Sequence, residues 1–154
     1  MPPLPGTVVT AGSETPFYLG PLLQRLGERG LHHCNAASTD DLVGLLGKAA
    51  KLDRLAILVY NGPGSHTARR LLEALDPDYS DVPVIVVVNE PNIEEHYELM
   101  SRGAYDYFGF SEGTTVIEEA VRWAAQTDAI SARAAARRSG SNAQDGSAKN
   151  PLLR

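Results

Sequence analysis

Arg54-Leu55-Ala56-Ile57-Leu58-Val59-Tyr60-Asn61-Gly62-Pro63-Gly64 is an apolar run that ends in a turn. A strand with one face in water alternates apolar and polar residues; a strand covered on both faces does not. Leu55 to Tyr60 does not alternate, which predicts a central strand of a parallel sheet. Glycine and proline then break the chain. Ser65 follows as a helix cap, and Ala68, Leu71, Leu72 and Leu75 fall on one helical face. The unit is strand, loop, helix. No acidic residue stands at its strand end.

Working outward, the same unit recurs. Thr7 to Ala11 is a short β-rich run, followed by Thr15-Pro16 as a helix start and Leu19, Leu22, Leu23 and Leu26 as its stripe. Gly30 stops that helix, and Leu31 to Ala36 is a weaker second strand. Ser38 with Asp41 caps a helix bearing Leu42, Leu45, Leu46 and Ala49. Pro83 to Val88 is the strongest strand. Asn92 with Glu95 opens a fourth helix, with Ile93, Tyr97 and Met100 expected inward. Gly103 ends it. Ala104 to Phe110 is a fifth strand, and Thr115 with Glu118 caps a fifth helix carrying Ile117, Val121 and Ala124. Five strands alternating with five helices predict a doubly wound α/β sandwich with right-handed crossovers.

The chain has 154 residues, enough for one domain and a tail. Its net charge of −5 opposes general nucleic-acid binding, which needs a basic face. Residues 1–128 hold 9 Lys and Arg against 18 Asp and Glu, whereas residues 129–154 hold 5 against 1. The expected division is a domain over 1–128, a helix extension over 129–138 and a disordered tail over 139–154. The single Cys34 precludes a disulfide within the chain and fits a reducing cytoplasm. The start lacks a signal-peptide pattern, and Val82 to Val88 is too short to span a bilayer. A cytoplasmic protein without membrane contact is expected.

Three segments carry a family resemblance. They are Glu14-Thr15-Pro16 with its leucine stripe, Val82-Pro83-Val84-Ile85-Val86-Val87-Val88, and Gly103-Ala104-Tyr105-Asp106-Tyr107-Phe108. Over residues 7–127 the chain resembles the receiver domain of bacterial response regulators in two-component signalling. The resemblance implies a flavodoxin-like strand order, 2-1-3-4-5. It also implies a phosphoacceptor aspartate at the end of strand three, paired acids for Mg²⁺ after strand one, a hydroxyl residue after strand four and a lysine in strand five. Here the acid pair aligns with Ser13 and Glu14. The acceptor aligns with Tyr60, or with Val59 if the loop is one residue shorter. The hydroxyl residue aligns with Val88, the lysine with Phe110, and the following proline with Ser111. Hard oxygen ligands for Mg²⁺ and a cation for the phosphoryl oxygens are thus missing. The resemblance is to a degenerate receiver, a pseudo-receiver, with no metal and no cofactor. Tyr60, Val88 and Phe110 are expected to converge on the vacated pocket.

Such a domain implies phosphorylation-independent signalling or localisation through a protein partner. The docking face in this family is formed by the fourth helix, fifth strand and fifth helix, here with Tyr97, Tyr105, Tyr107 and Trp123, and a homodimer through it is one form. These rings either anchor a partner or complete the core. The alternative function is a small-ligand or nucleotide binder in the crevice at the strand C-termini. Asn61 to Thr67 is a glycine-containing turn of the kind that cradles anions, but no Walker lysine follows, and it reads as an ordinary loop. His32, His33 and Cys34 are adjacent on a strand, where neighbours face opposite ways, so a structural role outweighs a metal site. Asn89, Glu90, Glu94 and Glu95 read as a solvated helix start. No nucleophile elbow or acid–base pair stands out, so no enzyme is expected.

Overall fold

Leu55–Tyr60 is the middle strand of a five-stranded parallel sheet, and all six of its residues are buried. The computed structural model describes residues 6–12, 14–48, 54–76 and 78–126. Ser13, Ala49 and the expected extension and tail, 129–154, lie outside the described residues. The strands are β1 (Thr7–Ala11), β2 (His32–Ala36), β3 (Leu55–Tyr60), β4 (Val84–Val88) and β5 (Asp106–Gly109). The helices are α1 (Glu14–Tyr18), α2 (Gly20–Glu28), α3 (Thr39–Lys48), α4 (Thr67–Leu75), α5 (Ile93–Ser101) and α6 (Thr114–Gln126), with a 3₁₀ turn at Phe110–Glu112. Every pairing is parallel and the order is β2-β1-β3-β4-β5, as expected.

The pleat divides the core into two layers. Ile57, Val59, Val84, Val86, Val88 and Tyr107 pack with Leu42, Leu46, Leu71, Leu75 and Leu99 from α3, α4 and α5. Ala56, Leu58, Tyr60, Ile85, Val87 and Phe108 pack with Leu22 and Leu26 of α2 and Ile117, Val121 and Ala124 of α6. In register, Ala11 lies opposite Val59, Val59 opposite Val86, and Val88 opposite Gly109. These strand C-termini therefore finish within two residues of one another, along one edge.

Two caps form as the sequence predicts. Ser38 Oγ accepts from the Asp41 amide at 3.1 Å, and Asn92 Oδ1 from the Glu95 amide at 2.9 Å. Three local expectations are corrected. The first helix is two segments, because Pro21 has no N–H to return to the preceding turn. Thr15 is no cap: its buried hydroxyl donates to the Ala11 carbonyl and accepts from the Tyr60 amide at 3.0 Å. On α5 the expected stripe points outward. Ile93 and Tyr97 are each 76% exposed and Met100 is 38% exposed, while Leu99 is the inward residue at 2%. That helix is anchored by polar bonds from Glu95, so apolar spacing alone gives the wrong face.

Glu118 is also misread as a cap partner. It is 1% exposed, with Arg25 Nε 2.8 Å from one carboxylate oxygen and Arg29 Nε 3.0 Å from the other. The pair ties α2 to α6. Both arginines are about half exposed and can turn to water if the acid is lost, which softens the penalty. Glu118→Ala is expected to lower the unfolding free energy by about 2 kcal/mol in urea denaturation, and Glu118→Gln by less. An unchanged midpoint for Glu118→Ala would show that the cross-link contributes nothing.

Candidate functional site

The C-terminal edge is occupied by aromatic rings. Tyr60 ends β3 and is 4% exposed. Its ring stacks on Tyr18 with centroids 4.3 Å apart, and Phe110 lies tilted at 6.2 Å. Its hydroxyl accepts from Asn89 Nδ2 at 2.8 Å. Burial, then the neighbouring Tyr18, push the Tyr60 hydroxyl pKa up. The rings are supported from below by the Thr15 hydroxyl, which links the Tyr60 amide to the end of β1.

The residues singled out from sequence divide between the two layers. Tyr60 and Phe110 meet. Val59 and Val88 are buried on the opposite face of the sheet, in the layer with Leu99 and Tyr107. Glu14 is exposed on α1, Ser111 is exposed after β5, and Ser13 lies outside the described residues. The stack thus consists of Tyr18, Tyr60 and Phe110, with Asn89 as its polar tether. No periodicity or motif marks Tyr18, and Asn89, expected as part of a solvated helix start, instead bonds the Tyr60 hydroxyl.

A second group is hydrogen-bonded. Asn61 is buried, and its Oδ1 accepts from the Ala68 amide at 3.0 Å, so it caps α4 in place of the expected Ser65. Ser65 Oγ instead accepts from the Thr67 amide at 3.1 Å. Asn61 Nδ2 donates to Glu95 Oε2 at 2.8 Å, and the Tyr107 hydroxyl donates to Glu95 Oε1 at 2.6 Å. The Asn92 amide donates to the same hydroxyl at 3.1 Å. Glu95 is therefore a hub between β3, α5 and β5 rather than a solvated helix-start acid. Tyr107 is 4% exposed and its ring stacks on His96 at 4.7 Å. Its inward position removes it from the expected docking face. Tyr105 is half-buried against the α2–α6 layer. Tyr97, at 76%, and Trp123, at 65%, are the exposed members of that set.

Two clefts flank the stack. One, of about 480 Å³, lies beside the ends of β1 and β3 and includes Gly12, Glu14, Tyr18, Ser38, Thr67 and Arg70. The other, of about 590 Å³, lies between the ends of β3 and β4 and includes Asn61, His66, Arg69, Asn89, Glu95 and Glu98. The Asn61–Thr67 loop walls both. Among the described residues no three His, Cys, Asp or Glu side chains are grouped to hold a metal. His33 Nε2 lies 2.9 Å from Thr10 Oγ1, and Cys34 packs against the core, where burial raises its thiol pKa. No described helix is long and apolar enough to cross a membrane.

No protein-family model matches the chain, and no curated protein is similar to it in sequence. Solved structures are similar in shape. FixJ-N superposes with a TM-score of 0.64 at 21% identity, covering 78% of this chain and 93% of that one. The fold is that of receiver domains. The Francisella response regulator 1452 receiver domain gives 0.58 at 16% identity, covering 75% of this chain and 93% of its own. NtrX from Brucella abortus gives 0.59 at 15% identity over 90% of this chain, which spans only 30% of that protein.

The Tyr107 hydroxyl pKa is pushed up to about 12 from 10.0, by burial first and by its bond to Glu95 second. A folded-state pKa above the unfolded one means the native state keeps its proton longer. Stability is then full below about pH 10 and falls as the pH rises toward 12. Tyr60 shifts in the same direction. Urea midpoints followed from about pH 9 upward should decline, and Tyr107→Phe should flatten that decline. An identical alkaline slope in the variant would show that Tyr107 does not govern it.

Proposed function

We propose that this chain is a pseudo-receiver that signals or localises by protein–protein contact, without aspartyl phosphorylation and without catalysis of its own. The observation that carries the reading is the Tyr18–Tyr60–Phe110 stack at the strand C-termini. Aromatic bulk stands where a phosphoryl group and its counter-ions require charged oxygen ligands and a cation. The phosphoacceptor alignment offers only Tyr60 or Val59, both buried, and neither is a carboxylate. The receiver-like shape supports two-component signalling as the setting. The proposed site of action is bacterial cytoplasm, in keeping with the single cysteine.

Incubation with acetyl phosphate and Mg²⁺, read by intact mass, should give no phosphoryl adduct. An adduct mapped to any aspartate would overturn the reading.

The proposed docking face is built by α5, β5 and α6. Ile93, Tyr97, Val116 and Trp123 expose apolar surface there, and exposed aromatics are favoured anchors. A second copy of the chain is one partner such a face admits. The double variant Tyr97→Ala, Trp123→Ala should weaken partner capture about thirtyfold while the far-UV circular dichroism stays native. Native-level capture by the folded variant would move the docking face elsewhere. A second reading, small-ligand binding, is favoured by the open clefts beside the stack.

A further inference from the structure

The cleft beside Tyr18 lies where the chain connections diverge. β1 and β3 are neighbours, yet β1 leads to β2 on one side and β3 leads to β4 on the other. In open α/β sheets the crevice outside the strand C-termini at such a switch point is where ligands bind. Its volume, about 480 Å³, falls within the range of small-molecule sites.

The cleft carries one charge of each sign, Glu14 and Arg70. Arg70 is the exception among the arginines of the helical layers. Arg25 and Arg29 pair with Glu118, Arg69 and Arg102 with Glu73 and Glu98, and Arg122 with Glu119. Among the described residues Arg70 has no ion pair, Glu14 has none, and the two do not pair with each other. Ser38, Thr39, Ser65 and Thr67 add hydroxyls to the same cleft. Two unpaired opposite charges and a set of hydroxyls suit a ligand that also carries one charge of each sign. A phosphate fits less well. It would set a dianion beside Glu14, a like charge in the same cleft.

We propose that this cleft binds a free amino acid or a close zwitterionic relative, with its carboxylate on Arg70 and its ammonium on Glu14. The hydroxyls complete the hydrogen bonding, and Tyr18 and Tyr60 wall the side-chain end. The assignment does not depend on the docking face or on the absence of phosphorylation.

The test is a titration of the ¹⁵N-labelled full chain with each standard amino acid. Parallel titrations use the matching amine and the matching carboxylic acid, each lacking one charge, and inorganic phosphate. At least one amino acid should give saturable shifts confined to residues 11–18, 37–39 and 62–70. Arg70→Gln and Glu14→Gln should each weaken binding about tenfold or more, because each removes a charge-assisted hydrogen bond. Arg70→Lys should retain part of the affinity. Arg69→Gln, in the other cleft, should change nothing. Both altered positions are exposed, so the fold should survive. The proposal fails if no amino acid gives saturable shifts, or if the carboxylic acid alone binds as tightly. It fails equally if phosphate is preferred, or if the shifts map to the cleft lined by Asn89 and Glu98.

Discussion

Burial of the central strands on both faces is the constraint on which the rest of this molecule depends. It forces the helices to cover both sides of the sheet. It also leaves the C-terminal strand edge as the place where β1, β3, β4 and β5 can present different side chains together. The register brings Ala11, Val59, Val86 and Tyr107 to the same height, with the strand ends at or just beyond them, so small changes there alter one shared surface. Strand interiors answer to packing, while the residues just beyond them set the chemistry.

At that edge stand aromatic rings. A cluster of carboxylates stores like-charge repulsion and needs a metal or a cation to offset it. The Tyr18–Tyr60–Phe110 arrangement carries no such debt, and its one buried hydroxyl is answered by Asn89. The polar groups that remain are gathered beside it. Asn61, Glu95, Asn92 and Tyr107 satisfy one another and hold the loop after β3, the start of α5 and strand β5 as one assembly. Gly109 closes this assembly from the other end, since a β-carbon there would collide with the Pro91 ring.

Much of the fold was legible in the sequence because local apolar runs and caps are local physics. The β-rich run Thr7–Ala11 coincides with β1, the Ala68–Leu71–Leu72–Leu75 stripe is wholly buried, and Ser38 and Asn92 cap the helices they precede. Less of the site was legible. Glu118 finds Arg25 across 93 residues and Asn61 finds Glu95 across 34, and no periodicity encodes such partners. The face of α5 was misjudged for the same reason: its orientation follows two hydrogen bonds made by Glu95 rather than the spacing of Ile93, Tyr97 and Met100. The receiver resemblance places Tyr60 and Phe110 at the strand ends, where they meet. Tyr18, which completes their stack, lies on a helix whose interruption at Pro21 gives no hint of that role.

That interruption has a consequence for access. α1 is only five residues long, with Tyr18 at its end and Phe17 packed edge-on against Tyr18 in an exposed position. A helical segment this short has little stability of its own and is held mainly by what its side chains touch. It belongs among the elements that open by local unfolding at a fraction of the global free energy. Transient loss of that single turn would lift Tyr18 from Tyr60 while both core layers stayed closed. Opening the strand edge would then require the loss of one helical turn and of the Thr15 bonds to Ala11 and Tyr60, and not the unfolding of the domain.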